Sequence, residues 1–294
     1  MATLLRRCMA ALRAPGNELA FAVRSGLGWQ RGPADLVNEE KAGLFAPGAS
    51  TRVRRLVARF DLGDLERRST IAAWAGNLAL LENLEALTRG IAIPRTASGA
   101  VRAIDVGSGD FHYATALQRW LSRHGEPAEP RAVVLRGFEI DGHGIYRDGH
   151  SRADHARSHA ALAARPGDVV RYEVADAASV RLPEQDVVTM LFPFLTAYPA
   201  LRWGMPLSRW RPRRLVRRVV RSLRPGGLLV VVNQTADELE RLRRLLADEP
   251  LEWLATASFA TDLGPSAERT ADRVGSVWCR LEPRTAPPGR AARG

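Results

Sequence analysis

Ala103-Ile-Asp-Val-Gly-Ser-Gly-Asp-Phe-His-Tyr-Ala114 is an apolar run that enters a glycine turn, and the turn opens directly into a helical pattern. Gly107 and Gly109 lack a Cβ, so the turn can adopt positive φ and a ligand can lie against its backbone. The N–H groups that begin the helix near Phe111 favour an anionic group. Glycine turns also join strands to helices without a ligand, so the motifs further along the chain must decide between the two interpretations.

Downstream of Pro94, short β-branched runs alternate with helical periodicity, which is typical of a parallel sheet built from strand–helix units. Strands are predicted at 101–106, 132–139, 169–174, 186–192, 228–233 and 274–281, and helices at 111–123, 151–164, 208–223 and 236–246. A Pro-Gly-Gly sequence at 225–227 is predicted to form the turn into the fifth strand. The pattern predicts a doubly wound α/β fold.

The first ninety residues have helical periodicity only, with segments near 4–12, 18–24, 34–45, 51–60 and 65–89. We therefore expect a helical N-terminal cap region at 1–94 and an α/β domain at 95–283. Residues 284–294, rich in Pro, Arg and Gly, are expected to be a disordered tail. The basic stretch 1–13 has the composition of a transit peptide, but an ordinary first helix is favoured.

Composition sets the broad class of the protein. The chain has 294 residues, 46% of them hydrophobic, and no apolar run long enough to span a membrane, so a globular protein without membrane segments is expected. Cys8 and Cys279 fit neither a disulfide framework nor a metal-ligand spacing, which favours a cytoplasmic location. The net charge of +11 comes almost entirely from arginine, since Lys41 is the only lysine, and it would attract anionic partners.

Four features occur in a fixed order: the glycine turn, an acidic residue ending the second strand, an Asp-Ala after the third, and the Pro-Gly-Gly before the fifth. In that order they make the chain resemble the class I S-adenosylmethionine-dependent methyltransferases over about 101–283. The resemblance implies a mostly parallel seven-stranded sheet and S-adenosyl-L-methionine as the cofactor. Its specificity lies in order and spacing rather than in a single motif.

The resemblance also assigns roles to individual residues. The cofactor-binding set is Asp105, Gly107, Ser108, Gly109, Glu139, Asp176, Ala177 and Phe192. Asp105 would orient the ammonium group of the cofactor, and Asp176 would accept from the adenine amino group. Glu139 would accept hydrogen bonds from the two ribose hydroxyls, because a diol offers two donors and a carboxylate offers two acceptor oxygens. Asp141 is the alternative for this role. Phe111 stands where the family often has a third glycine, so its ring would cover the cofactor or narrow the pocket.

The segment Met190-Leu-Phe-Pro-Phe-Leu195 ends the fourth strand, where family members place substrate-facing groups. The polar residue that would accept from a target amine is missing, which disfavours methylation of adenine or cytosine amino groups. The substrate-binding candidates are Pro193, Phe194, Tyr198 and Trp203, because loops at the carboxyl ends of parallel strands bind ligands. The arginines of 213–221 either hold an anionic substrate or form a solvated helix face.

Four of the six histidines lie between Asp141 and Ala160. His112, beside the glycine turn, and His150 are the candidates for a general base. His155 and His159 have i, i+4 spacing and could chelate a metal with Asp148 or Asp154, but no Cys or Glu completes a familiar pattern, so no metal is predicted.

The sequence therefore predicts a methyltransferase that acts on a small molecule. An RNA or protein methyltransferase is an alternative, and the basic charge favours it mildly. A non-catalytic cofactor-binding or scaffold protein with the same fold is another, favoured by Phe111 and by the missing polar residue before Pro193.

Overall fold

The computed structural model describes residues 2–94, 99–125, 129–263 and 272–282, with side chains from residue 13 onward. Its centre is a seven-stranded sheet in the order β3-β2-β1-β4-β5-β7-β6. The strands are β1 (Val101–Val106), β2 (Val133–Glu139), β3 (Val169–Val174), β4 (Gln185–Leu191), β5 (Leu223–Asn233), β6 (Leu251–Ser258) and β7 (Val274–Arg280).

The first five strands run parallel, and β7 runs antiparallel to both β5 and β6. From β1 the chain winds outward through β2 to β3, then returns to the other side of β1 to form β4 and β5. The direction in which successive strands are added reverses between β1 and β4, so a crevice opens at the carboxyl ends of these two strands. Ligands of such sheets usually bind in this crevice. The predicted doubly wound α/β fold with seven strands is confirmed.

Helices cover both faces of this sheet. They are α1 (Ala2–Leu27), α2 (Pro47–Phe60), α3 (Gly63–Arg67), α4 (Ile71–Leu87), α5 (Ala114–Arg123), α6 (Arg152–Ala163), α7 (Ala197–Arg202), α8 (Pro212–Ser222) and α9 (Ala236–Leu246). One buried cluster joins α2, α4, α5 and α6 to one face, and a second joins α8 and α9 to the other. The two apolar faces explain why the parallel strands read as nearly continuous hydrophobic runs.

The helices before β1 share the core of the sheet. Leu56 and Phe60 of α2 and Leu78 of α4 belong to the same buried cluster as Ala103 of β1 and Trp120 of α5. The α4 helix is apolar around most of its circumference, because it lies between α2 and α5 and contacts both. Helices α2 and α4 thus form a layer on the sheet.

The helix predicted at 34–45 is wrong, because this segment is irregular. Its polar groups bond outward to other elements: Glu39 accepts from the N–H of Ile71 at the start of α4, and Lys41 Nζ donates to Ser69 O. These tertiary bonds outweigh its helical periodicity. The segments predicted at 4–12 and 18–24 are a single helix, which continues through Pro15.

Strand β6 was not predicted. It lies at the edge of the sheet and five of its eight residues are exposed. Its sequence, Leu-Glu-Trp-Leu-Ala-Thr-Ala-Ser, accordingly lacks the β-branched apolar run of a central strand. The short helix α7 lies in a segment where no helix was predicted. The predicted tail at 284–294 falls outside the described residues. Among those the structure describes, no helix combines the length and apolar character needed to cross a membrane.

Candidate functional site

The glycine turn lies at the carboxyl end of β1, as predicted. Gly107 and Gly109 have φ values of 81° and 57°, which favour glycine, and a Cβ built on either would have no atom within 4 Å. The loop is held from within the protein: the Tyr172 hydroxyl donates to Gly109 O over 2.8 Å, and Gly107 N donates to Phe138 O over 2.8 Å. A rigid loop therefore presents its two glycines to open space.

Phe111 turns its ring away from that space. The side chain is fully buried, and its ring atoms would lie 3.0 and 3.1 Å from a Cβ built on Gly137 in β2. Its ring centroid is 5.9 Å from that of Tyr113 and 6.3 Å from that of Tyr172. The prediction that the Phe111 ring covers a ligand or narrows its pocket is therefore wrong, because the ring packs in the core. The Phe111 backbone has a φ of 56°, which is unfavourable for a residue with a Cβ.

Asp105 links β1 to its neighbours. Its side chain is fully buried, Oδ1 accepts from the Thr189 hydroxyl of β4 over 2.6 Å, and Oδ2 accepts from the Tyr113 hydroxyl over 2.8 Å. Burial raises the pKa of Asp105 to about 6, although these hydrogen bonds oppose the shift. Both carboxylate oxygens are thus engaged within the protein.

Glu139 ends β2 and faces the glycine turn. Its Oε2 accepts from Gly109 N over 3.0 Å and its Oε1 from Asp141 N over 2.9 Å, and the residue is 6% exposed. Burial raises the pKa of Glu139, and the positive charge of Arg152 opposes that shift. Each oxygen retains a lone pair, since a carboxylate has about four acceptor positions. A buried, oriented carboxylate therefore stands beside the loop at the crevice.

Asp141, the alternative to Glu139, is engaged in ion pairs. Arg24 of α1 approaches it to 2.5 Å through Nε, and Arg152 of α6 approaches its other oxygen to 3.3 Å. Arg24 also donates to Gly204 O over 3.0 Å. The cluster joins α1 to the carboxyl end of β2, so α1 lies across the edge of the crevice.

Asp176 follows β3 by two residues. Its neighbour Ala175 donates to Glu139 O over 2.9 Å, which places the Asp176 turn beside the end of β2. The Asp176 carboxylate accepts from Ala178 N over 2.9 Å and from the Ser179 hydroxyl over 2.7 Å. The turn is thereby fixed, while Ala177 packs into the core. The glycine loop, Glu139 and Asp176 follow the adjacent strands β1, β2 and β3 in that order.

The aromatic residues after β4 divide into two groups. Phe192 has a φ of 59° and its ring is covered by the Arg273 guanidinium, 4.4 Å from the ring centroid. Phe194 and Trp203 have ring centroids 6.1 Å apart, and the Arg152 guanidinium lies 5.3 Å from the Trp203 ring. Pro193 is buried and Tyr198 is exposed. Of the substrate-binding candidates, the structure brings Phe194 and Trp203 together.

The two candidate bases occupy different surroundings. His112 Nδ1 lies 2.7 Å from Asp110 Oδ1, and the His112 side chain is 44% exposed. Burial raises the pKa of Asp110, but the hydrogen bonds and charge of His112 outweigh it, so that this pKa is lowered. His150 lies instead beside His155 and Asp148, and these three could hold a metal ion. His159 is not part of that group, although the i, i+4 spacing pointed to it.

Several residues of this site carry no sequence signal of their own. Tyr113, Tyr172 and Thr189 hold the loop and Asp105, and Arg152 lies between Glu139, Asp141 and Trp203. Only Arg152 could have been placed in advance, because Ser151 and Asp154 form a capping box that marks the start of α6. The others are brought in by strand pairing.

Comparisons with known proteins give structural likenesses alone. No protein-family model matches the chain, and a search of curated proteins finds no significant match. Among solved structures, a Listeria monocytogenes protein assigned to the class I S-adenosylmethionine-dependent methyltransferases is 14% identical over 74% of this chain and 62% of its own, with a TM-score of 0.46. TrmN from Thermus thermophilus is 16% identical over 70% of this chain and 49% of its own, with a TM-score of 0.44. An S-adenosylmethionine-dependent methyltransferase from Aquifex aeolicus is 11% identical over 69% of this chain and 92% of its own, with a TM-score of 0.45. The chain thus spans less than two thirds of the first two structures.

Proposed function

We propose that this chain is an S-adenosylmethionine-dependent methyltransferase with a small-molecule acceptor. The observation that carries the proposal is the hydrogen bond between Gly109 N and Glu139 Oε2. It joins the open glycine loop after β1, one of the two strands between which the strand order reverses, to the buried carboxylate that ends β2. A loop that presents bare backbone and a carboxylate that retains acceptor positions together suit a ligand with a charged end and a diol.

The residues present fit this cofactor along its length. The open space beside Gly107 and Gly109 suits the amino-acid end, the remaining lone pairs of Glu139 suit the ribose hydroxyls, and the fixed turn at Asp176 suits the adenine amino group. Bound S-adenosylmethionine supplies a methyl group already activated on a sulfonium centre. The chain's own residues therefore have to bind, orient and exclude water rather than provide a nucleophile.

The acceptor side lies toward α1. Phe194 and Trp203 form an aromatic pair next to Arg152, and Arg24 joins α1 to Asp141. Beside Arg24, α1 and the loop after β2 line an open surface groove of about 550 Å³. Its lining includes the apolar side chains Leu19, Val23, Leu27, Trp29 and Ile145. A groove of this volume and apolar lining suits a small, mainly apolar acceptor.

An acceptor that must lose a proton needs a base. The His112–Asp110 pair is our choice for that role, because the carboxylate fixes the imidazole ring and the ring is accessible beside the glycine loop. His150 is less suited, because its Nδ1 is buried against Asp148.

Calorimetry with S-adenosylhomocysteine tests the cofactor assignment. The wild-type chain is expected to bind one equivalent with micromolar affinity, and Glu139→Ala to abolish binding. Glu184→Ala, an exposed residue just before β4, is the matched control and should bind like the wild type. Wild-type protein that binds no S-adenosylhomocysteine would contradict the cofactor assignment and favour a scaffold.

Transfer of a labelled methyl group tests the acceptor class. The protein is incubated with methyl-labelled S-adenosylmethionine and a cell extract separated by size into small molecules, RNA and protein. We expect label in the small-molecule fraction. Label in RNA, with affinity that falls steeply with salt, would contradict the small-molecule acceptor while leaving the cofactor assignment intact.

A further inference from the structure

The loop between β2 and α6, together with the first turn of α6, brings three metal-ligating side chains together outside the crevice. His155 Nε2 lies 2.9 Å and His150 Nδ1 3.5 Å from the same oxygen, Asp148 Oδ2. The three ligand atoms all lie within 4.8 Å of one another. We propose that Asp148, His150 and His155 bind one divalent transition-metal ion, with Zn²⁺ as the probe.

In the described part of the chain, the carboxylate of Asp148 is the group that both imidazole nitrogens face. Both His150 Nδ1 and His155 Nε2 are inaccessible to solvent, and apart from their ion-pair contacts with Asp148 neither forms a hydrogen bond. A buried polar atom that lacks a hydrogen bond destabilises the folded protein. An ion shared between the two nitrogens and the carboxylate would remove that cost at both positions.

The spacing and the ligand types also suit such an ion. A tetrahedral Zn²⁺ with bonds near 2.0–2.1 Å separates its ligand atoms by about 3.3 Å. The distances of 2.9 and 3.5 Å lie on either side of that value. Two imidazoles with one carboxylate favour zinc or a similar transition ion over Mg²⁺ or Ca²⁺, which prefer oxygen ligands. Three protein ligands leave one coordination position open.

The backbone around the ligands is already ordered. Within the loop, Tyr146 N donates to His150 O over 2.8 Å, and His150 N donates to Asp148 Oδ1 over 3.0 Å. From the segment after α1, Arg31 donates to Asp148 O over 2.8 Å and Trp29 to Gly149 O over 3.0 Å. The ligands are thus held by the loop, by α6 and by the N-terminal segment, so binding requires little rearrangement.

The ion would act on the glycine loop through Tyr146. The Tyr146 ring packs edge-on against His155 with centroids 5.0 Å apart, and its hydroxyl donates to Asp110 Oδ2 over 3.4 Å. An ion that fixes His155 therefore also fixes the residue that contacts the loop after β1. Binding of the metal does not itself depend on methyl transfer, so a metal test and a cofactor test can fail separately.

The experiment uses the full chain, freed of any affinity tag and of metal by a chelator. Calorimetric titration with Zn²⁺ should show one equivalent bound, and the Co²⁺ form should give the strong visible absorption of low-coordinate cobalt. Asp148→Asn, His150→Gln and His155→Gln should each weaken binding by more than about 100-fold, beyond the usual effect of a residue that only supports a ligand. His159→Gln, which removes the other member of the i, i+4 pair, is the matched control and should bind like the wild type.

The melting temperature with and without Zn²⁺ provides a second, independent measurement of metal binding. Saturating Zn²⁺ should raise the Tm of the wild type and of His159→Gln, and leave that of Asp148→Asn unchanged, because an ion bound only to the folded state stabilises it. Asp148 is 49% exposed, so its substitution leaves the core intact. The proposal is overturned if the wild type binds no Zn²⁺, or if Asp148→Asn binds as tightly as the wild type.

Discussion

Gly109 N donates a 3.0 Å hydrogen bond to Glu139 Oε2, and this bond joins the glycine loop after β1 to the end of β2. The two residues are separated by α5 in the chain and meet only because β1 and β2 pair in parallel, with Val106 opposite Phe138. The loop and the carboxylate therefore form one unit, and the predictions below depend on it.

Replacement of Glu139 by Gln is expected to weaken S-adenosylhomocysteine binding by more than about tenfold, because a charged acceptor pair becomes one acceptor and one donor. Since burial raises the pKa of Glu139, wild-type affinity should also fall as the pH is lowered toward that raised pKa. Calorimetry between pH 5 and 8 measures both effects. Glu184→Gln is the control, and a Glu139→Gln variant with the pH dependence of the wild type would contradict the assignment.

Asp176→Asn is expected to remove discrimination at the adenine amino group. The wild type should bind S-adenosylhomocysteine about tenfold more tightly than its inosine analogue, which lacks that donor. The Asn oxygen can still accept from Ala178 N, so the turn is kept while an amide NH₂ replaces one acceptor. Competition binding of the two ligands measures the ratio. An unchanged preference in the variant would show that Asp176 only stabilises its turn.

Asp105 makes stability depend on pH. Its folded pKa of about 6 lies above the unfolded value of 3.8, so its contribution is fully present below pH 3.8 and is lost as the pH rises through 6. Relative to Asp105→Asn, the wild type should lose up to about 3 kcal/mol of unfolding free energy between pH 4 and 7. Denaturant titrations at several pH values measure the difference. Parallel curves for the two proteins would mean that Asp105 does not titrate in this range.

Phe111 is expected to matter for stability rather than for cofactor affinity. Loss of its buried ring in Phe111→Ala should cost about 3–5 kcal/mol of unfolding free energy. Phe111→Gly should cost about 1 kcal/mol less than that, because a φ of 56° penalises a residue with a Cβ. Denaturant titrations measure the unfolding free energies. Calorimetry on the folded variants measures their affinity for S-adenosylhomocysteine. An Ala variant that binds S-adenosylhomocysteine more than tenfold tighter would mean that the ring obstructs the site.

Arg24→Gln is expected to loosen α1 from the crevice. The substitution removes the contacts to Asp141 and to Gly204 O, while Arg152 still neutralises Asp141. Backbone amides of residues 13–27 should therefore exchange hydrogen faster than in the wild type, with the sheet unchanged. Arg13→Gln, an exposed position on the same helix, serves as the control. Equal exchange in both variants would show that other contacts hold α1.

Strands with one strong periodic signal could be predicted from the sequence, and those that depend on a neighbour could not. Strand β1 has the predicted bounds, because a central parallel strand is buried on both faces and is therefore mostly apolar. Strand β6 was missed, because at the edge of the sheet it needs β7 for its hydrogen bonds but little hydrophobic burial. The helix predicted at 34–45 failed for a related reason, since its groups bond to Ser69 and Ile71.

The sequence by itself determined the glycine turn, the carboxylates after β2 and β3 and their order, because local chemistry and strand periodicity are written into consecutive residues. Tertiary structure alone decided that Phe111 points into the core, that Arg24 and Arg152 share Asp141, and that His150 rather than His159 joins His155. Each of these depends on which residues, distant in the chain, lie within a few ångströms of one another. Packing and strand pairing settle such distances, and no local pattern encodes them.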